Sequence, residues 1–296
     1  MYKDVVNELL EFMEASGKSG QQIAKEVGVS SATVSQFLNL KYGGDNDELA
    51  RKVTNYLKLA KKRSAVNKHT CFYEGLENTR KVLFACNYAH TRNDITLVFG
   101  DAGAGKTTAL EHYRKINPGV VMVTANSCTA SATAILNMIC RQTGKSISGR
   151  KDILMDALVN YFKGTNRLII IDEADHLTLT ALQAVRNLND NAGVGIVLAG
   201  NNKIYNQMLT GSRSSELQQL KTRIIVRRRV ENNYTIDEFR QVFPNTDDEC
   251  IGFLMELAQA ESLRTAVKIL EILYDYGEKI TFANLRKVKR QLTEGL

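Results

Sequence analysis

Residues 97–110, Leu-Val-Phe-Gly-Asp-Ala-Gly-Ala-Gly-Lys-Thr-Thr-Ala-Leu, set three glycines within six positions between an apolar run and a helix-forming run. Backbone so rich in glycine ends a strand and delays a helix, because each glycine costs conformational entropy in either. The spacing Gly100-x-x-x-x-Gly105-Lys106-Thr107 between a strand and a helix is that of the phosphate-binding P-loop. The N–H groups of Gly100, Asp101, Ala102, Gly103, Ala104 and Gly105 can wrap a β-phosphate where a Cβ would intrude. Lys106 brings charge to β- and γ-phosphates, Thr107 offers a hydroxyl to Mg²⁺, and Thr108 follows in the first helical turn. That helix also aims the positive end of its dipole at the same anion. The competing explanation is a chance match in a glycine-containing turn. The strand–turn–helix context argues against it, so the loop is expected to hold a nucleoside triphosphate with Mg²⁺.

A loop of this kind belongs at the carboxyl edge of a parallel sheet, and the surrounding sequence supplies one. Short β-rich runs at 95–99, 120–124, 167–171, 194–199 and 223–227 alternate with helical stretches. Strands that are apolar almost throughout and separated by helices imply a parallel sheet covered on both faces, an α/β fold. Residues 71–228 are assigned to this domain. Residues 229–296 return to helical periods (Leu254 and Leu257; Leu263, Val267, Leu270; Leu285, Val288, Leu292) and are expected to form a helical lid. Residues 1–60 also read as short helices, and the polar, basic stretch 61–70 between them and the sheet is expected to be a linker.

The run 167–177 ends in Asp172-Glu173. An acid at that strand tip can hold Mg²⁺, and the next can orient and polarise the attacking water. The same four letters, DEAD, occur in helicases, but those need a second sheet domain for which this chain has no room. His176 is expected to be structural or a polar rim residue. Asn201 ends the strand at 194–199, where it could touch the γ-phosphate or the water; a turn-forming Asn-Asn pair explains it equally well. Arg223, before the last strand, and Arg264, opening a lid helix, are each either surface residues or nucleotide contacts.

Residues 19–39 have the layout of a helix-turn-helix, with small Ala24 inside, Gly28 at the turn and Ser30 capping the second helix. Ser31, Thr33 and Gln36 then face outward and could meet DNA. There is no arginine among them to read guanine, so sequence readout should be weak. A protein-docking module of the same shape is the alternative. Lys145, Arg150 and Lys151 lie in a Gly/Ser-rich stretch that could track a phosphate backbone, or be a plain basic surface loop. The net charge of +7 permits a polyanionic partner without requiring one. The five cysteines are scattered without metal-ligand spacing and read as thiols of a reducing compartment. No apolar stretch reaches the length of a membrane span, and the first residues lack the apolar centre of a signal peptide. The expected location is cytoplasmic, with no membrane partner.

With the P-loop, Asp172-Glu173, Asn201, Arg223 and Arg264 in that order, the chain resembles the AAA+ ATPases of the initiator type. Further stretches (LNLKYGGDND at 38–47, IIIDEADHL at 169–177, IVLAGN at 196–201 followed by KIYNQM, and SLRTAVKIL at 262–270) extend the resemblance. They are similar to the AAA+ ATPase regulators of DNA transposition, the family of bacteriophage Mu transposition protein B, over about residues 15–275. The resemblance implies an AAA+ P-loop domain with a helical lid, behind a small helix-turn-helix domain. It implies ATP-dependent, largely sequence-nonspecific binding of duplex DNA, helical filaments on it, and delivery of that target DNA to a transposase. The transposase is in turn expected to stimulate hydrolysis and clear the filament, giving target immunity. Arg223 then becomes a finger reaching a neighbouring subunit's nucleotide, and Arg264 a lid sensor. The family's lid motif usually has glycine before that arginine, whereas Glu261-Ser262-Leu263 stand here. Two other readings share these motifs: a helicase loader, which would prefer single strands, and a nucleotide-sensing transcription regulator, against which the intact Asp172-Glu173 pair argues.

Overall fold

Five short strands, four of them apolar almost throughout and the last carrying Arg227, Arg228 and Arg229, build one sheet. The computed structural model describes residues 2–66, 72–144, 147, 149–209, 218–244 and 246–293, leaving side chains at 62–66, 207–209 and 293 aside. The chain divides into two compact units: Met1–Thr70 with Tyr274–Glu278, and Cys71–Leu273 with Lys279–Leu296.

In the first unit lie α1 (Tyr2–Ser16), α2 (Gly20–Val27), α3 (Ser31–Leu38) and α4 (Asn46–Val66). Val6, Leu9, Ile23, Ala24, Val34, Phe37, Leu49 and Val53 share one buried core. Local chemistry sets the α2–α3 turn. Ser19 and Gln22 form a reciprocal capping box, Gly28 closes α2 in the left-handed region at φ 79°, and the Ser30 hydroxyl accepts from the Thr33 N–H. The stretch expected to be a linker begins differently, because α4 runs on through Val66. Lys61, Lys62, Arg63 and Ala65 are good helix formers with no glycine or proline among them, so propensity alone allows the helix to continue. Of the predicted linker, residues 67–70 fall outside the described residues.

The second unit runs α5 (Glu77–Arg92), β1 (Ile95–Gly100), α6 (Lys106–Ile116), β2 (Val120–Thr124), α7 (Ala132–Gln142), α8 (Lys151–Phe162), β3 (Leu168–Asp172), α9 (Leu179–Ala192), β4 (Gly195–Gly200), α10 (Asn202–Leu209), α11 (Gln218–Arg223) and β5 (Ile224–Val230). It continues with α12 (Ile236–Val242), α13 (Asp248–Ala260), α14 (Leu263–Asp275) and α15 (Phe282–Thr293). The sheet is parallel with order β2-β3-β4-β1-β5. Its strands divide their residues by parity: Ile95, Leu97, Ile169 and Ile171 enter the core on one face, Val98, Leu168 and Ile170 the core on the other. The buried Thr96 hydroxyl donates to the Ala85 carbonyl at 3.2 Å.

Residues of α12–α15 make a further core of their own around Phe239, Leu254, Ile269 and Leu285. The predicted boundary at 228 cuts through β5, which continues to Val230, and most of the helical region groups with the sheet in one unit. Arg223 is the last residue of α11 and stands just before β5, so the run expected at 223–227 begins one residue later. Lys145 lies outside the described residues. Arg150 and Lys151 are not in a loop body: Arg150 is the N-cap of α8 and Lys151 its first residue, both exposed, with Arg150 paired to Asp152 at 3.4 Å.

Candidate active site at the carboxyl edge of the sheet

Between β1 and α6 the chain turns through glycines at positive φ: Gly100 at 138°, Gly103 at 72° and Gly105 at 91°. Each bare Cα has its own reason. A Cβ on Gly100 would collide with the Val230 carbonyl, and one on Gly103 would lie 2.6 Å from Ser262 Cβ and 3.3 Å from Arg264 Cβ. At Gly105 nothing lies within 4 Å, so that side of the loop is open. Glycine there serves backbone conformation and close approach by a ligand.

Lys106, at the N-terminus of α6, donates from Nζ to the carbonyls of Gly100 at 3.0 Å and Asp101 at 2.7 Å. Burial pushes its pKa below the ordinary lysine value, and Asp172, Glu173, Asp101 and Asp175 oppose that shift. The Thr107 hydroxyl donates to Asp172 Oδ2 at 2.6 Å. Asp172 is buried, and its Oδ1 accepts the Glu173 N–H at 3.0 Å. These oxygens are hard donors of the kind Mg²⁺ selects. Glu173 is exposed and adopts a left-handed backbone at φ 54°, ψ 36°, a conformation uncommon for a residue with a Cβ. It caps a single 3₁₀ turn, Ala174–His176.

That turn carries a residue the motif reading left without a role. Asp175 is buried, and its carboxylate accepts from the Asn201 backbone N–H at 3.2 Å and from Asn201 Nδ2 at 2.8 Å. It fixes the tip of β4 to the tip of β3. Asn201 Oδ1 in turn accepts the Lys203 N–H at 2.7 Å, so Asn201 caps α10 while Asp175 holds it. His176 is exposed, and its ring lies with the carboxylates of Glu173 and Asp175 inside one 4.8 Å group of potential ligand atoms.

The loop forms one wall of a cavity of about 420 Å³ whose other walls include Asn201, Lys203, Gln259 and Glu261. Arg264, exposed at the start of α14, has its Cβ against the Gly103 position. Ser262 caps that helix by accepting the Thr265 N–H at 3.2 Å. The helical region therefore reaches the P-loop directly.

Arg223 is elsewhere. Ile224 pairs with Ile95 and Val230 with Gly100, so Arg223 sits at the amino end of β1 while the P-loop sits at its carboxyl end. Five residue steps of strand separate the two ends by about 17 Å. Arg223 Nε pairs with Asp190 at 3.0 Å, and its side chain is 56% exposed. An extended arginine side chain cannot span that distance to its own loop. In the first unit, Ser31 and Gln36 are exposed on α3, while Thr33 is half-buried with its hydroxyl 2.8 Å from Ser30 Oγ.

Residues 89–208 match the family model described as an AAA domain. The chain is 30% identical over 283 residues to the ATP-dependent target DNA activator B of Escherichia phage Mu, covering 92% of this chain and 89% of that protein. It is 33% identical over 223 residues to the Mu-like prophage FluMu DNA transposition protein B of Haemophilus influenzae, covering 74% of this chain and 77% of the relative. Among solved structures, Cdc6p from Pyrobaculum aerophilum superposes with a TM-score of 0.53 at 15% identity, over 74% of this chain and 67% of that one. This last likeness is one of fold. Among the described residues no helix is long and apolar enough to cross a membrane.

Proposed function

The chain belongs to the Mu transposition protein B family of AAA ATPases, and from that premise we propose that it binds and hydrolyses ATP to control its own assembly on target DNA. The observation that carries the reading is the cluster of Lys106, Thr107, Asp172 and Glu173 around a loop whose Gly105 side is open. Loop amides, Lys106 and the α6 N-terminus would take the phosphates. Thr107 and Asp172 would hold Mg²⁺, whose chemistry is to neutralise charge on the β- and γ-oxygens. Glu173 would polarise the attacking water from its strained backbone position, a kind of strain that collects at active sites. Asp175 would keep Asn201 beside that water, and Arg264 would approach the nucleotide from the lid.

Arg223 would act in trans. Its place at the far end of β1 favours a neighbour's nucleotide over its own, as an arginine finger. Subunits joined this way would form filaments along duplex DNA, contacted by Ser31, Thr33, Gln36, Lys145, Arg150 and Lys151. The filament would present that DNA to a transposase, and hydrolysis would dissolve it. Arg223→Ala should still bind ATP yet lose hydrolysis by about a thousandfold, the lower end of what a finger contributes. Mixing it with Lys106→Ala subunits should restore part of the activity, since one supplies the finger and the other the pocket. Near-normal turnover by Arg223→Ala alone would return Arg223 to the surface residues.

Competition binding tests the DNA side of the reading. With ATP and Mg²⁺, affinity for duplexes of unrelated sequence should agree within a few-fold, and should drop by at least about a hundredfold between 50 and 200 mM salt. A footprint confined to one short motif would contradict this, and preference for single strands would point to a loader-type activity instead.

A further inference from the structure

The chain leaving β5 is bonded to the P-loop, and Asn232, which lines the cavity beside Gly100, Asp101 and Ala102, makes two of the three bonds. The Asp101 N–H donates to the Val230 carbonyl at 3.0 Å. The Asn232 backbone N–H donates to Asp101 Oδ2 at 3.0 Å, and Asn232 Nδ2 donates to the Ala102 carbonyl at 3.1 Å. Asn232 is itself held from behind. Its Oδ1 accepts from the Tyr234 hydroxyl at 3.3 Å, and Tyr234 is buried in the lid core against Phe239. One residue earlier, buried Asn78 of α5 donates to the Glu231 carbonyl at 2.7 Å and accepts its N–H at 3.4 Å.

We infer that Asn232 is a positioning residue for the phosphate site: it fixes Asp101 and Ala102 so that the loop amides converge, and ties their placement to the root of the lid. This rests on the proposed nucleotide-binding reading. The Gly100 and Asp101 carbonyls are held by Lys106, whereas the Ala102 carbonyl is held by Asn232, next to a glycine that leaves the backbone wide conformational freedom. Asp101 and Ala102 precede Gly103, which touches Ser262 and Arg264. The lid thus meets the loop at two places, through Asn232 at residues 101–102 and through the start of α14 at residue 103. Loss of the Asn232 side-chain donor would release the Ala102 carbonyl while leaving the backbone bonds at Asp101 and the groups of Lys106, Thr107 and Asp172 in place.

Two substitutions in the full chain separate positioning from packing. Asn232→Ala removes the donor to Ala102 and the acceptor for Tyr234. Asn232→Asp keeps the shape and the acceptor but sets a carboxylate oxygen against the Ala102 carbonyl, beside the Asp101 carboxylate. Affinity for a fluorescent ATP analogue with Mg²⁺ and no DNA, turnover at saturating ATP on duplex DNA, and the thermal midpoint without nucleotide are then measured. The dissociation constant should rise about fivefold to tenfold in Asn232→Ala, the size of one neutral hydrogen bond. It should rise several times further in Asn232→Asp, with saturated turnover within about twofold and little change in midpoint. A packing role predicts the reverse order, with the isosteric Asp variant the milder. Asn232→Asp binding the analogue as the unaltered chain does, or both variants losing midpoint with unchanged affinity, overturns the assignment of Asn232 alone. Failure of the unaltered chain to bind the analogue overturns the nucleotide-binding reading and the assignment with it.

Discussion

Glu173→Gln should lower ATP hydrolysis by about a hundred- to ten-thousandfold, the range expected when a positioned base is lost, while leaving ATP and Mg²⁺ bound. The amide cannot polarise water as the carboxylate can. Thr107 and Asp172, which meet at 2.6 Å, are untouched, and the Asp172 bond to the residue-173 backbone N–H does not depend on the side chain. Glutamine is also close in size, and the side chain is exposed, so the left-handed backbone at this position has no new contact to accommodate. If hydrolysis is what dissolves the filament, complexes of this variant on duplex DNA should outlast a chase with excess competitor DNA. Their rapid disassembly on ATP would contradict a hydrolytic timer.

Lys106→Ala should weaken ATP binding by at least about a hundredfold, because charge-assisted bonds to phosphate are about twice as strong as neutral ones and in the proposed site this lysine would serve both β- and γ-groups. The fold should survive. Within the protein Lys106 Nζ bonds only to the carbonyls of Gly100 and Asp101 among the described contacts, both in the loop itself. Circular dichroism and the thermal midpoint without nucleotide check that point, and equilibrium titration with a fluorescent ATP analogue checks the affinity.

How much of this was written in the sequence depends on how far each determinant reaches along the chain. The P-loop, the Asp172-Glu173 strand tip and the α2–α3 turn are local. Gly28 and Ser30 act on neighbours within a few residues, and the strands declare themselves because Leu168–Ile171 are apolar on both parities. Other determinants become visible only when the sheet closes. Asp175 reaches Asn201 across 26 residues and Asn232 reaches Asp101 across 131, pairings that no spacing rule records. The Asp172-to-Asp175 interval was a usable signal for the first, since a single 3₁₀ turn carries the second acid to the neighbouring strand tip. For Asn232 there was none. The start of the linker was misjudged for a different reason: lack of an apolar face does not by itself end a helix, and α4 continues through Val66 on propensity. Arg223 was placed correctly in sequence order, but its separation from its own P-loop needed the β1–β5 register.

The central claim is that nucleotide at the P-loop governs attachment to DNA. Fluorescence anisotropy of a labelled duplex, titrated with the unaltered chain in ATP–Mg²⁺, in ADP–Mg²⁺ and without nucleotide, tests it most directly, with Lys106→Ala run alongside. Tight binding should occur only with ATP–Mg²⁺ and only in the unaltered chain, with affinity at least about tenfold lower in every other case, a difference of about 1.4 kcal/mol. Equal affinity with and without nucleotide, or in Lys106→Ala, would contradict the claim and leave the P-loop without control of the DNA site.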